Sequence, residues 1–192
     1  MIFETERLIL RKPRKTDWKD VVEGVKGLEV SKNLATVPHP YKKKDALWWI
    51  NRTIKKWRKK QREGYTFVIE LKSEKKVIGA TSVENINYQN KTAITGSWIN
   101  KKYWKKGYIT EAKVPILDFA FDKLKLRRLE SQVFTNNKAS NSMAIKFGFK
   151  REGTRKKVTI CKADGKIYDD NIYALFRSDW RKARAKILRG KK

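Results

Sequence analysis

The stretch that decides the fold is YWKKGYITEA, residues 103–112. It follows a segment with the alternation of a strand and opens one in which apolar residues recur every three or four positions, as in a helix. Such a junction directs free backbone N–H groups and the positive end of the helix dipole towards one point, which favours binding of a phosphate. Gly107 permits close backbone approach, and Lys105 and Lys106 add positive charge. By itself, one glycine before a helix is more often an ordinary cap, and the second glycine and Lys-Ser/Thr pair of a P-loop are missing.

A second segment of interest is NKASNSMAIKFGF, residues 137–149. Asn137 and Ser140 stand where a strand gives way to a short helix, and Gly148 ends that helix. On the residues alone, Asn137 is best interpreted as a helix cap and Ser140 as a residue of the first turn.

The remaining chain alternates between strand and helix patterns without a repeat or a linker. This order predicts a mixed α/β fold with an antiparallel meander and one parallel strand. We expect about seven strands and about four helices in one domain over residues 1–180, followed by a basic tail over 181–192 that is helical or frayed. The predicted strands cover residues 6–11, 65–71, 76–84, 92–100, 128–135 and a terminal pair around the turn at Asp164 and Gly165.

Composition limits the class of protein. The 192 residues include 40% hydrophobic residues and one cysteine, which suits a single packed domain in a reducing, cytoplasmic environment. The N-terminus lacks the pattern of a signal peptide, and no apolar run approaches the roughly 20 residues of a membrane span.

The formal net charge of +28 is unusual for a chain of this length. A strong positive potential attracts RNA or an acidic protein, although a lysine-rich composition or heat adaptation would also produce it. If the charge serves function, the cations should converge on one face beside the acceptor cleft. The candidates for that face are Lys42, Lys43, Lys44, Arg181, Lys182, Arg184 and Lys186.

Taken together and in order, the motifs resemble the GNAT superfamily of acetyltransferases, and within it the RimJ/RimL-like branch that acetylates protein N-termini. The resemblance covers nearly the whole chain. It rests on TERLILR (5–11), PHPY (38–41) before a helix, YWKKGYITEA (103–112), Asn137-x-x-Ser140 with KFGF (146–149), and DDNIYA (169–174). The chain departs from the family pattern at Lys105, where the first loop glycine is expected, and at Ile109, where a small residue is expected.

The resemblance implies a GNAT fold, acetyl-CoA as co-substrate and direct transfer of its acetyl group to a primary amine. Two splayed strands, residues 92–100 and 128–135, would form the acetyl-CoA notch, and an unpaired N–H near Trp98 or Ile99 would bind the thioester oxygen. The implied cofactor-binding residues are Trp98, Ile99, Lys105, Lys106, Gly107, Tyr108, Ile109, Thr110, Asn137 and Lys146.

Two catalytic roles follow from the same resemblance. Ser140 is the candidate that protonates the departing thiolate, and Glu84, at a strand end facing the cleft mouth, is the candidate base. A water chain is the alternative to Glu84, because residues 158–160 (VTI) lack the acid that some relatives carry there.

Three interpretations of function remain open from the sequence. The first is acetylation of a protein N-terminal α-amino group, and the second is acetylation of a polyamine, an aminoglycoside or a lysine side chain. The third is a non-catalytic module of this fold that binds RNA or the ribosome through its charge. We expect a monomer or homodimer, no metal, and no catalytic role for His39 or Cys161.

Overall fold

The computed structural model describes residues 1–190, which form eight strands and six α-helices. The strands are β1 (Phe3–Glu4), β2 (Leu8–Arg11), β3 (Gly64–Leu71), β4 (Lys76–Asn87), β5 (Thr92–Ile99), β6 (Arg128–Phe134), β7 (Lys150–Ile160) and β8 (Ile167–Phe176). The helices are α1 (Trp18–Val25), α2 (Leu28–Ser31), α3 (Lys43–Arg58), α4 (Tyr108–Asp118), α5 (Lys138–Lys146) and α6 (Arg177–Arg189).

All eight strands lie in one sheet, in the order β1-β2-β3-β4-β5-β6-β8-β7. Every neighbouring pair is antiparallel except β5 and β6, which are parallel. The predicted mixed, mostly antiparallel sheet with one parallel pairing is therefore confirmed. The strand beyond the predicted seven is β1, whose two residues are too few to show an alternation pattern.

The parallel pair β5 and β6 is joined only at its start. The paired residues are Thr92 with Arg128, Ala93 with Leu129, and Ile94 with Glu130. Beyond these pairs the strands separate, as predicted, and leave an open notch between their carboxyl ends.

The sheet carries a helical layer and an apolar core on each face. On one face α4, α5 and α6 cover the larger core, which includes Ile116 of α4, Phe147 and Trp180. On the other face α1 and α3 cover a smaller core that includes Ile50 and Val68. The notch therefore lies between two packed layers that fix the strands on either side of it.

The predicted basic tail is helical, and its helix packs against the rest of the domain. Helix α6 runs to Arg189 and buries Trp180, Ala183 and Ile187 in the larger core. The indole Nε1 of Trp180 also donates to Asp118 Oδ1 at 2.9 Å. The domain thus continues past residue 180. The sequence does not show this readily, because the few apolar residues of this amphipathic helix lie among many basic ones. The last two residues of the predicted tail, 191 and 192, lie outside the described residues.

None of the helices within residues 1–190 is both long enough and apolar enough to cross a membrane.

Candidate active site

The notch exposes the backbone of β5 on the side that β6 leaves open. The N–H of Asn100 donates to Ile78 O at 2.8 Å, so Asn100 points towards β4. Successive residues of a strand point their N–H groups to opposite sides, so the N–H of Trp98 also points towards β4, whereas the N–H groups of Ser97 and Ile99 point into the notch. Of the two donors predicted for the thioester oxygen, Ile99 is on the open side and Trp98 is not.

Trp98 supports the notch by packing rather than by hydrogen bonding. Its side chain packs against the smaller core, beside α1. A Cβ added to Gly24 of α1 would lie 2.5 Å from an indole carbon of Trp98. Gly24 therefore lets α1 approach the strand closely, and this contact explains a glycine that would otherwise weaken the helix.

The loop between β5 and α4 has the conformation that the phosphate-site interpretation requires. Lys105 and Gly107 have positive φ angles of 60° and 80°, and both are exposed. Lys105 thus keeps the left-handed backbone that glycine would adopt at its position, at a cost of about 1–2 kcal/mol. Gly107 is the N-cap residue of α4 and supplies no side chain to cap the helix. The first N–H groups of α4 are consequently available to an anion, with Lys105 and Lys106 beside them.

This loop is held to the start of β2 by a buried carboxylate. Glu111 of α4 accepts hydrogen bonds from Thr5 Oγ1 at 2.6 Å, Arg7 N at 2.8 Å and Arg7 Nε at 2.7 Å. Arg7 also donates to Lys106 O at 3.2 Å and stacks 4.4 Å from the centre of the Tyr108 ring. Burial raises the pKa of Glu111, but the hydrogen bonds from Thr5 and Arg7 outweigh it and hold that pKa below its usual value. Sequence reasoning missed this link, although both ends of it lie in the quoted motifs.

Helix α5 brings the second predicted segment to the first. Asn137 Oδ1 accepts from Ser140 N at 3.1 Å and caps α5 as the residues predicted. At the other end of α5, Lys146 Nζ lies 3.5 Å from Thr110 Oγ1 of α4. The half-buried Ser140 hydroxyl makes no hydrogen bond to any other group of residues 1–190 and is free to serve a substrate.

Asn141 fixes the start of α5 to the sheet. Its Nδ2 donates to Phe134 O at 2.9 Å and Asn137 O at 2.8 Å. Its Oδ1 accepts from Asn171 Nδ2 at 2.8 Å and from Tyr173 OH at 2.7 Å. One side chain therefore joins the end of β6, the start of α5 and strand β8, and so positions the neighbouring Ser140.

The sequence predicted that Glu84 faces the mouth of the notch, but the structure places it elsewhere. It pairs in register with Ile94, the last residue of β5 that is paired with β6, and so it lies level with the closed end. Its carboxylate accepts a hydrogen bond from the Thr66 hydroxyl and forms an ion pair with Lys56 of α3. Both partners engage the carboxylate on the face of the sheet that α3 covers.

The cations predicted to form one acceptor-side face are divided between the two layers. Lys42, Lys43 and Lys44 lie at the start of α3, which packs on the smaller core. Arg181, Lys182, Arg184 and Lys186 lie on α6, which packs on the other face of the sheet. The prediction that these residues converge on one face is therefore wrong.

Cys161 is buried with a free thiol, and His39 is exposed in its loop. Among residues 1–190, no group of three or more His, Cys, Asp and Glu side chains could hold a metal ion.

Comparison with known proteins agrees with this architecture. Residues 7–150 match the family model described as acetyltransferase (GNAT) domain. The chain is 27% identical over 181 residues to the uncharacterized N-acetyltransferase YoaA of Bacillus subtilis, covering 92% of this chain and 97% of the relative. It is 30% identical over 112 residues to the ribosomal-protein-serine acetyltransferase of Escherichia coli, covering 58% and 61%. Among solved structures, the microcin C7 self-immunity acetyltransferase MccE, in complex with acetyl-CoA and AMP, superposes with a TM-score of 0.77 at 23% identity over 90% of this chain and 93% of that one.

The chain belongs to the GNAT acetyltransferase family, and it is an N-acetyltransferase that uses acetyl-CoA. Its own geometry fits that co-substrate in two places. The open side of β5 offers backbone donors to an extended polar arm, and the uncapped start of α4 with its lysines offers a site for a pyrophosphate.

Proposed function

We propose that the acceptor is the α-amino group at a protein N-terminus. The observation that carries this proposal is the state of Glu84, whose carboxylate is engaged by Thr66 and Lys56 away from the open end of the notch. Without this base, the acceptor must supply a neutral amine by its own ionisation. At pH 7.5 about 30% of α-amino groups are neutral, against about 0.1% of lysine side chains. The similarity to a ribosomal-protein-serine acetyltransferase supports the same acceptor class.

Acetyl-CoA supplies the acetyl group as an activated thioester. The backbone N–H of Ile99 or Ser97 faces the acyl oxygen, and a preorganised donor of this kind contributes roughly 3 kcal/mol to lowering the barrier. The first turn of α4, together with Lys105, Lys106 and Lys146, holds the pyrophosphate. Much of the remaining rate enhancement comes from holding the two reactants in line.

The transfer is balanced by two proton movements. The acceptor nitrogen bonds to the acetyl carbon as the carbon–sulfur bond breaks. Ser140 gives its hydroxyl proton to the departing thiolate, and the surplus proton of the acceptor nitrogen passes to water, from which Ser140 is reprotonated. Ser140 suits this role because its hydroxyl is free and Asn141 fixes the helix turn that carries it.

A competition between matched acceptors tests the proposal. The substrates are an octapeptide beginning with serine and containing one lysine, the same peptide with an acetylated N-terminus, and spermidine. We expect acetylation, measured by mass spectrometry, on the free N-terminus, with little on the blocked peptide. Equal or higher kcat/KM for the blocked peptide or for spermidine would overturn the proposed acceptor while leaving the family assignment intact.

A further inference from the structure

A buried lysine lies beneath the strand that borders the notch. Lys113 of α4 is 6% exposed, and its Nζ is surrounded by acceptors from β4 and β5. It lies 2.7 Å from Thr95 Oγ1, 3.0 Å from Ser97 Oγ and 3.3 Å from Gly96 O, with Thr81 Oγ1 at 3.4 Å. The three hydroxyls among these acceptors lie on the face of the sheet that α4 covers.

This amine has no carboxylate partner among the described residues. Strand β5 carries no ionisable side chain, and Glu84 of β4 turns to Lys56 on the opposite face. Glu111, two residues before Lys113 in α4, is paired with Arg7. Burying a lone ammonium costs several kcal/mol, and an apolar side chain would fill the position without that cost. The amine therefore needs an explanation other than packing.

The position of the acceptors supplies one. Thr95, Gly96 and Ser97 directly follow Ile94, where the pairing of β5 with β6 ends. Over this segment β5 has lost one of its two neighbours, yet the N–H of Ser97 must hold a fixed position facing the notch. The bonds from Lys113 restrain this segment through two side chains and one carbonyl.

We propose that Lys113 is a positioning residue for acetyl transfer, whose buried amine holds the Thr95–Ser97 segment, which has no partner on its β6 side, so that the N–H of Ser97 faces the acyl oxygen. The proposal rests on acetyl transfer and not on the class of acceptor. The hydrogen-bond inventory agrees with it. Thr95 donates its own proton to Ser82 O at 2.6 Å, which leaves a lone pair for Lys113. Three N–H bonds of an ammonium match the three closest acceptors.

The protonation state of Lys113 changes this inventory. Burial lowers the pKa of Lys113 to about 7 from its ordinary value of 10.5. As pH rises through this value the amine loses one of its three donors, and the segment loses one restraint. The bonds to β5 should therefore be most complete below pH 7.

The test compares Lys113→Met, which keeps the length without donors, with Lys113→Gln, which keeps two N–H donors without a titrating group. The rate of coenzyme A release is measured with whichever amine proves the best substrate. We expect Met to lower kcat by roughly 10- to 100-fold, as expected for a displaced donor. The dissociation constant for acetyl-CoA should stay within about threefold of the wild-type value, and Gln should recover most of kcat.

Two further readouts separate positioning from general structure. Amide hydrogen exchange in the protein without ligand should accelerate at residues 95–99 in the Met variant and remain unchanged in β3. The ratio of the wild-type kcat to that of Lys113→Gln should change across pH 7, because only the wild type has a titrating group at this position. The ionisation of the acceptor affects both proteins equally and cancels in the ratio. Ile116→Met, a conservative change one turn along α4, is the matched control and should leave both readouts unchanged.

The proposal is overturned if Lys113→Met keeps wild-type kcat, if Met and Gln are equally impaired, or if exchange at residues 95–99 is unaltered. Failure of the protein N-terminus as acceptor would leave all three readouts measurable with another amine.

Discussion

Replacing Lys113 by methionine should make the free energy of unfolding less dependent on pH. The lysine must give up its charge or keep it without a carboxylate partner, and either choice costs folding free energy. Methionine has a similar length and shape and removes the ionisable group without leaving a large cavity.

The magnitude follows from the pKa of the amine. In the folded protein this pKa is about 7, and its ordinary value, which applies to the unfolded chain, is 10.5. Between these values the unfolded chain binds more protons than the folded one, so the wild-type free energy of unfolding rises with pH. At 1.36 kcal/mol per pH unit, the gain between pH 7 and pH 9 is at most about 2.7 kcal/mol. Below about pH 6 both states are protonated, and the penalty is constant at roughly 5 kcal/mol.

Denaturation by urea at pH 6, 7, 8 and 9 measures this difference. The free energy of unfolding of the Met variant should exceed that of the wild type most at pH 6. The difference between the two free energies should shrink steadily above pH 7. The control Ile116→Met should differ from the wild type by a constant amount at every pH. Parallel curves for the wild type and Lys113→Met would show that the amine keeps its ordinary pKa, and the reasoning would fail.

Three other outcomes are expected. Gly107→Val places a β-branched residue at a φ of 80° and should weaken acetyl-CoA binding by roughly tenfold in calorimetry. The control Gly165→Val, at a φ of 70° in the β7–β8 turn, should lower stability by a similar amount and leave acetyl-CoA binding unchanged. Ser140→Ala should lower kcat by roughly 10- to 10⁴-fold without altering acetyl-CoA affinity, and Ser142→Ala, on the exposed side of α5, should do neither; an unchanged kcat would leave Ser140 only a role in α5. Glu111→Gln should reduce stability near pH 7 and make the loss of stability in acid smaller. A carboxylate with a lowered pKa stabilises the fold above its unfolded pKa of about 4.5 and loses that contribution as pH falls through its folded pKa. Identical Tm profiles of the wild type and the variant from pH 7 to pH 3 would contradict this.

Local patterns were sufficient for most of the fold. The strand predicted over residues 92–100 is β5 at Thr92–Ile99, because a half-buried strand has a strong period-2 pattern. The four-residue helix α2 and the two-residue strand β1 are too short for any periodicity. The packing of helix α6 cannot be predicted from its own residues, because few of them are apolar and many are basic. The residues that its apolar side chains contact lie far away in the sequence.

The site was predictable at the level of segments but not of atoms. The loop at 103–112 and the helix at 137–149 are contiguous, so their chemistry can be seen in the sequence. Which N–H of β5 faces the notch depends on register, and one residue of slip reverses every assignment. The bond from Asn100 to Ile78 settles that choice in favour of Ile99 over Trp98. The distance of Glu84 from the mouth depends in the same way on its pairing with Ile94.

Lys113 was missed for a deeper reason. In α4, Val114 and Leu117 recur at the three-residue spacing of a helix and indicate an inward face, but the helix is covered on more than one side and Lys113 is buried as well. A lysine within a helix is normally solvated, so its residue type alone indicates the wrong environment. The informative signal lies on the strands, where Thr95 and Ser97 occupy inward positions that an apolar residue would ordinarily fill. Hydroxyls on the inward face of a strand require a buried partner, and a helix that crosses them with a lysine supplies it. Such hydroxyl pairs on a predicted core strand therefore indicate a buried polar partner that helix periodicity conceals.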